Sequence, residues 1–125
     1  MIKVRLVQAD VPNANGRVYP RDVLESALKA IQKNRLFAQF GMPEGTSIDL
    51  LEIAASVGNF SFDDEGFLCA ELIALETPKG KVLTESLVST EFDYRPAGIG
   101  RVDKNGVITD YRFTSIGVLS KGSGA

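Results

Sequence analysis

Acid–base and nucleophilic chemistry at neutral pH falls mainly to histidine, to cysteine thiolates, to paired carboxylates and to activated hydroxyls. This chain has no histidine and one cysteine. Imidazole is the usual proton carrier because its unperturbed pKa lies near neutrality. Without it, neither a Ser-His nor a Cys-His nucleophilic site can exist within the chain. A zinc site, whose ligands are chiefly His and Cys, is argued against on the same ground. Cys69 sits in GFLCAEL (66–72) among apolar neighbours, the setting of a buried, inert thiol. A lone cysteine permits no intrachain disulfide, and nothing in its use suggests an oxidising compartment.

The remaining chemical candidates have plainer readings. Asp63, Asp64 and Glu65 cluster in SFDDEGF (61–67), but calcium needs oxygen ligands at defined alternating positions, which a tight turn lacks. The cluster is expected to be a solvated hairpin tip. The 16 acidic residues offer many possible pairs, and no spacing singles one out for hydrolysis by two carboxylates. Serines and lysines are present, but no nucleophile turn marks a Ser-Lys dyad. GIGRV (98–102) precedes a hairpin and no helix, so its glycines suit a bend better than a nucleotide loop. Phe60, Phe62, Phe67, Tyr94, Tyr111 and Phe113 have faces on which bases stack. Their strand periodicity points instead to core packing and sheet pairing.

Scattered basic residues, a net charge of -2 and a pI near 5.1 give no general pull toward nucleic acid or anionic membrane. The longest apolar run falls far short of the ~20 residues that span a bilayer. No catalytic, cofactor-binding or metal-binding residue is assigned. No cofactor, no membrane association and no specific nucleic-acid binding are expected.

The elements around these residues follow from pattern. With 125 residues, 44% hydrophobic and 24% charged, residues 1–125 are expected to form one domain with a small polar tail over 120–125. Ile2–Gln8 alternates as a first strand and is no signal peptide. Pro12 and Asn15-Gly16 break it. Pro20 fits the first turn of a helix, and Asp22 and Glu25 complement its dipole. Val23, Leu24, Ala27, Leu28 and Ile31 recur at helical spacing, predicting a helix from 20 to about 34, with Lys33–Arg35 at its basic end. Leu36–Gly41 reads as a second strand, followed by a loop at GMPEGT.

Ile48–Asp63 is ambiguous between helix and strand at its start and a strand at its end, where Val57, Phe60 and Phe62 fall. Asp63–Gly66 turns the chain into a returning strand, Phe67–Glu76. Thr77 and Pro78 open a second helix reaching Ser89, with Val82, Leu83, Leu87 and Val88 on its packed face. Thr90–Val102 is a strand bent at Pro96 and two glycines. Asp103–Gly106 is a hairpin turn into a last strand, Val107–Leu119. The fold class is therefore α+β: a mostly antiparallel curved sheet or small β-barrel of about six strands flanked by two helices.

Several of these stretches, in this order, resemble one family. NANGRVYP (13–20) before a helix is similar to the N-terminal signature of tailed-phage prohead (capsid maturation) proteases, which share the herpesvirus-assemblin fold. PEGTSIDLLEIAASVGNF (43–60) resembles the segment after that family's catalytic His-Pro pair. DDEGFLCAELIALETPKGKVLTESL (63–87) resembles its hairpin, link and following helix. GIGRVDKNGVITDYRFTSIGVL (98–119) is similar to its closing Gly-x-Gly hairpin and final strand. The departures lie at the chemistry. Met42 stands before Pro43 where the family has histidine. In FDYRPAGIG (92–100), where the family has its serine, Asp93, Tyr94, Arg95, Pro96 and Ala97 supply neither Ser nor Cys.

The resemblance thus implies a retained fold with proteolysis lost. Met42 is expected to fill the vacated pocket, and Pro96 to stiffen the strand that carried a nucleophile. The expected role is a non-enzymatic bacteriophage virion protein: a capsid decoration, cement or head-associated protein, made in the host cytoplasm. Its expected partners are the major capsid protein and copies of itself in a symmetric shell. Two alternatives stay open. One is a regulator or inactive partner of a prohead protease; the other is a divergent, active maturation protease with a Ser-Lys or acidic mechanism.

Overall fold

A computed structural model describes residues 2–31, 36–42, 52–87 and 91–120. The strands are β1 (Ile2–Gln8), β2 (Leu36–Phe40), β3 (Ile53–Phe62), β4 (Phe67–Ala74), β5 (Phe92–Val102) and β6 (Ile108–Ser120), with helices α1 (Arg21–Ala30) and α2 (Pro78–Ser86). All six strands form one curled, half-barrel sheet in the order β1-β4-β3-β2-β6-β5. Every neighbouring pair is antiparallel except β2 and β6, which run parallel. The two edge strands, β1 and β5, curl within 8 Å of each other without forming a ladder. That leaves an open seam.

Alternation builds the interior. Val4 and Leu6 of β1 are buried while Lys3 and Arg5 are exposed, the period-2 signature of a strand with one wet face. Leu68, Leu72, Ile116 and Val118 join Leu24 of α1 and Leu83 of α2 in one core cluster. Burial of an aliphatic side chain of this size contributes roughly 1.5–3 kcal/mol relative to leaving it exposed.

Three turns repeat one design: Asn13–Gly16, Asp63–Gly66 and Asp103–Gly106. In each, the first residue's Oδ1 accepts the backbone N–H groups two and four residues on, at 2.8–3.0 Å. The fourth residue is a glycine at φ between 74 and 85°, a region open to glycine at no steric cost. The first and third tips are joined: Val18 N–H donates to Gly106 C=O at 2.9 Å and Ile108 N–H to Val18 C=O at 2.8 Å. A β-carbon on Gly106 would lie 2.6 Å from the Gly16 oxygen, so the junction admits only glycine.

The ambiguous stretch before Val57 is strand from Ile53 onward. A bulge between Gly58 and Ser61 places Asn59 at φ 51°, and its amide donates to Glu71 at 2.6 Å. Thr77 caps α2 as expected, accepting from Gly80 N–H at 3.0 Å, and also donates to Ile53 C=O at 3.0 Å. β5 bends where expected, with register shifts at Ala97/Gly98 and Arg101/Val102.

Some expectations are corrected. Pro20 occupies the N-cap of α1, with extended backbone and no side-chain cap, and lies outside the first turn. β4 ends at Ala74, short of Glu76, although Leu75 N–H still donates to Ala54 C=O at 2.9 Å, one step further along the β3–β4 register. Val82 is 46% exposed; Leu83, with Gly80 one turn earlier, is what α2 buries among the described residues, because a helix of this length presents one narrow stripe to the sheet. Ser120 is the end of β6 and no part of a tail. Lys33–Arg35, most of the loop after Met42 with Pro43 and Ile48–Leu51, Val88, and residues 121–125 lie outside the described residues.

Candidate functional site

The seam between β1 and β5 opens into a trench of three contiguous cavities. The first, ≈ 560 Å³, runs between the edge strands from Ile2 to Leu6 and from Phe92 to Arg95. The second, ≈ 590 Å³, lies under the loop from Val11 to Asn15 and shares Leu6, Phe67 and Arg95 with the first. The third, ≈ 430 Å³, runs along the glycine strip of β5 and shares Tyr19, Met42 and Pro96 with the second.

Each wall has a local cause. Asp10 turns the chain out of β1 at φ 64°, and its N–H donates to Tyr19 C=O at 2.9 Å, closing the loop into a rim. Tyr19 packs edge-on against Tyr111 at 5.4 Å between centroids, and Tyr111 against Phe113 at 5.0 Å. Gly98 and Gly100 are required beside this stack, since a β-carbon on either would strike the Tyr111 ring at 2.8–2.9 Å. Gly41, at φ 76°, donates its N–H to Val118 C=O at 2.9 Å and so sets Met42 on β6.

The structure brings together the positions singled out in the sequence. Met42, Arg95 and Pro96 meet in the middle of the trench, and Pro96 opposes Ile116 in the ladder. Met42 does not fill a closed pocket: it is 45% exposed and lies across Gly117, where a β-carbon would collide with its sulfur. Glycine at 117 gave no signal in the sequence that a side chain crosses it. Tyr94 faces the seam. Burial raises the pKa of Tyr94; it also raises that of Tyr19, which Arg17 partly offsets, and that of Tyr111 most, with Tyr19 adding to it. All three remain neutral phenols at physiological pH.

Two buried polar side chains were not anticipated. Ser115 is fully buried and Gln39 is 5% exposed, and Ser115 Oγ and Gln39 Oε1 have no hydrogen-bond partner among the described residues. They lie on adjacent strands, Gln39 opposite Gly117 and Ser115 opposite Ala97. Cys69 is buried away from the trench; burial and then the neighbouring Asp63 raise its thiol pKa, so it stays protonated. The Asp63–Glu65 tip is occupied by structure: Asp63 is salt-bridged to Arg5 at 2.9 Å and Glu65 to Arg5 at 3.6 Å. Among the described residues no cluster of three metal-ligating side chains occurs, and no helix is long and apolar enough to cross a membrane.

What the trench offers is shape, charge and apolar surface. No serine, threonine or cysteine is among the described residues that line it.

The chain is similar in structure to the capsid assembly protease gp21 of bacteriophage T4, with a TM-score of 0.76 over 94% of this chain and 79% of that one. Sequence identity is 19%, so the likeness is one of fold. No protein-family model and no curated protein sequence matches the chain.

Proposed function

We propose that this chain is a non-enzymatic, head-associated virion protein, a capsid decoration or cement protein, that keeps a capsid-protease fold and binds the major capsid protein. One observation carries the reading: the middle of the trench is built from Met42, Arg95 and Pro96 in a chain with no histidine. A thioether, a guanidinium and a pyrrolidine ring supply neither a nucleophile nor a general base. The T4 protein of the same fold is a capsid assembly protease, which supports a role in the same setting; fold alone does not fix function, so the preference for binding over cutting rests on the trench residues. A shell also multiplies weak contacts into firm attachment through repeated copies.

The test is quantitative mass spectrometry of purified mature particles, run beside fluorophosphonate labelling and incubation of the protein with the co-expressed capsid and scaffold proteins. Stoichiometric copies in the particle, no labelling and no cleavage are expected. Cleavage of a head protein, or absence from particles, would overturn the reading.

A further inference from the structure

We infer that the groove between α1 and the β5–β6 hairpin is a self-association surface, on which a second copy of this chain docks about a two-fold axis. The groove is a cavity of ≈ 620 Å³, distinct from the three that make the trench. Val23, Ser26 and Ala30 of α1 wall it on one side. They recur at a spacing of three and four residues, which puts them on one face of the helix. Ile99 of β5 and Asp110 and Arg112 of β6 wall it on the other.

The first observation is charge. Asp110 and Arg112 stand two residues apart on one strand and are both exposed, so their side chains share one face of the sheet. Neither has an ion-pair partner among the described residues. Arg101 opposes Asp110 in the ladder, yet no ion pair joins them. The second observation is apolar surface. Ile99 opposes Arg112 in the same ladder, is 46% exposed and lines the same groove.

An acid and a base so placed are complementary to themselves. In a contact between two identical surfaces, residue i of one copy meets residue j of the other, and j meets i. A two-fold axis crossing β6 at Tyr111 sets the Asp110 of each copy against the Arg112 of the other, so two ion pairs form together. A partner surface of one charge sign would gain one attraction and meet one repulsion. Ser26 and Ala30 carry no long side chain to hold the copies apart, and covering Ile99 removes apolar surface from water. The occupant that fits is therefore a second copy of this chain.

The experiment is analytical ultracentrifugation of the full chain over about 5 to 500 μM, a range that brackets a micromolar dissociation constant. A reversible dimer, at twice the 13.5 kDa chain mass, is expected. Asp110→Arg leaves like charges at both contacts, and so does Arg112→Asp. Each variant alone is expected to weaken the dimer by about 10-fold or more. An equimolar mixture of the two restores opposite charges across the axis and is expected to recover the dimer as a heterodimer. That recovery also shows both variants to be folded. Ile99→Asn is expected to weaken the dimer by about threefold. Val82→Asn, at a residue 46% exposed on α2 and outside the groove, leaves it unchanged.

A monomer throughout the range, a dimer that neither charge variant weakens, or a mixture no better than its components would overturn the inference. An effect of Val82→Asn equal to that of Ile99→Asn would do the same. Particle association and cleavage are read by separate measurements, so the proposed function stands or falls apart from this surface.

Discussion

Asp10 Oδ1 accepts the backbone N–H of Arg21 at 3.2 Å, so the first turn of α1 is capped by a residue eleven positions upstream. Pro20 at the N-cap has no side chain able to do this. Asp10 also ties the loop rim to Tyr19 through its own N–H, which couples the trench wall to the helix. It sits at φ 64°, a conformation that Asp and Asn tolerate better than other non-glycine residues.

Replacing Asp10 by Ala removes the cap and leaves a strained backbone. A loss of about 1–2 kcal/mol is expected, read as a lower urea midpoint at unchanged slope. Asp10→Asn keeps the acceptor and costs less, and Asp10→Gly relieves the strain but not the lost cap. Equal losses for Ala and Asn would show that the side-chain acceptor contributes nothing.

These contacts mark the boundary of what the sequence makes legible. The three Asx-x-x-Gly turns, Thr77 before Pro78 and the alternation in β1 are local signals, and each appears where its residues predict it. The antiparallel character of the sheet follows from two hairpins. The parallel pairing of β2 with β6 does not, because pairing between distant strands leaves no periodicity in either. The Asp10 cap is equally silent, since a loop aspartate resembles any other. At the site, the identities of Met42 and Arg95–Ala97 were readable from the chain. That they converge with Arg17 and Arg101 on one trench is a product of the curl of the sheet.

Acid sensitivity should centre on Asp63. Desolvation acts to raise its pKa, but the N–H groups of Phe67 and Glu65 and the charge of Arg5 outweigh it and hold the carboxyl below its usual value. A carboxyl depressed in the folded state stabilises the fold fully above its unfolded pKa of about 3.9 and loses that contribution as pH falls through the folded value. Asp63→Asn is therefore expected to flatten the stability-versus-pH curve below about pH 4. An unchanged acid limb in that variant would place the sensitivity elsewhere.

Ser115 and Gln39 carry buried polar atoms without partners among the described residues, each then an uncompensated desolvation of about 1–3 kcal/mol. Ser115→Ala and Gln39→Met are expected to leave stability unchanged or to raise it by up to about 1–2 kcal/mol. The measurement is the denaturation midpoint of each variant. A loss above about 1 kcal/mol in Ser115→Ala would mean that the hydroxyl makes a bond on which the fold depends.

Met42 and Gly117 form the last testable pair, and it bears on the trench itself. The Met42 sulfur lies over the Gly117 α-carbon so closely that an added methyl collides with it, and Gly41 C=O stands 3.0 Å from the same point. Gly41 is tied to β6 by its own N–H, so the side chain is the part that yields. Gly117→Ala should therefore swing Met42 toward solvent and destabilise the protein by about 1–3 kcal/mol. Met42→Ala alone removes a half-exposed side chain and costs less. If the two side chains compete for one space, the double variant recovers part of the Gly117→Ala loss, giving a coupling of about 0.5–2 kcal/mol in a double-mutant cycle. Additive losses would mean that the strain falls on Gly41 and the backbone.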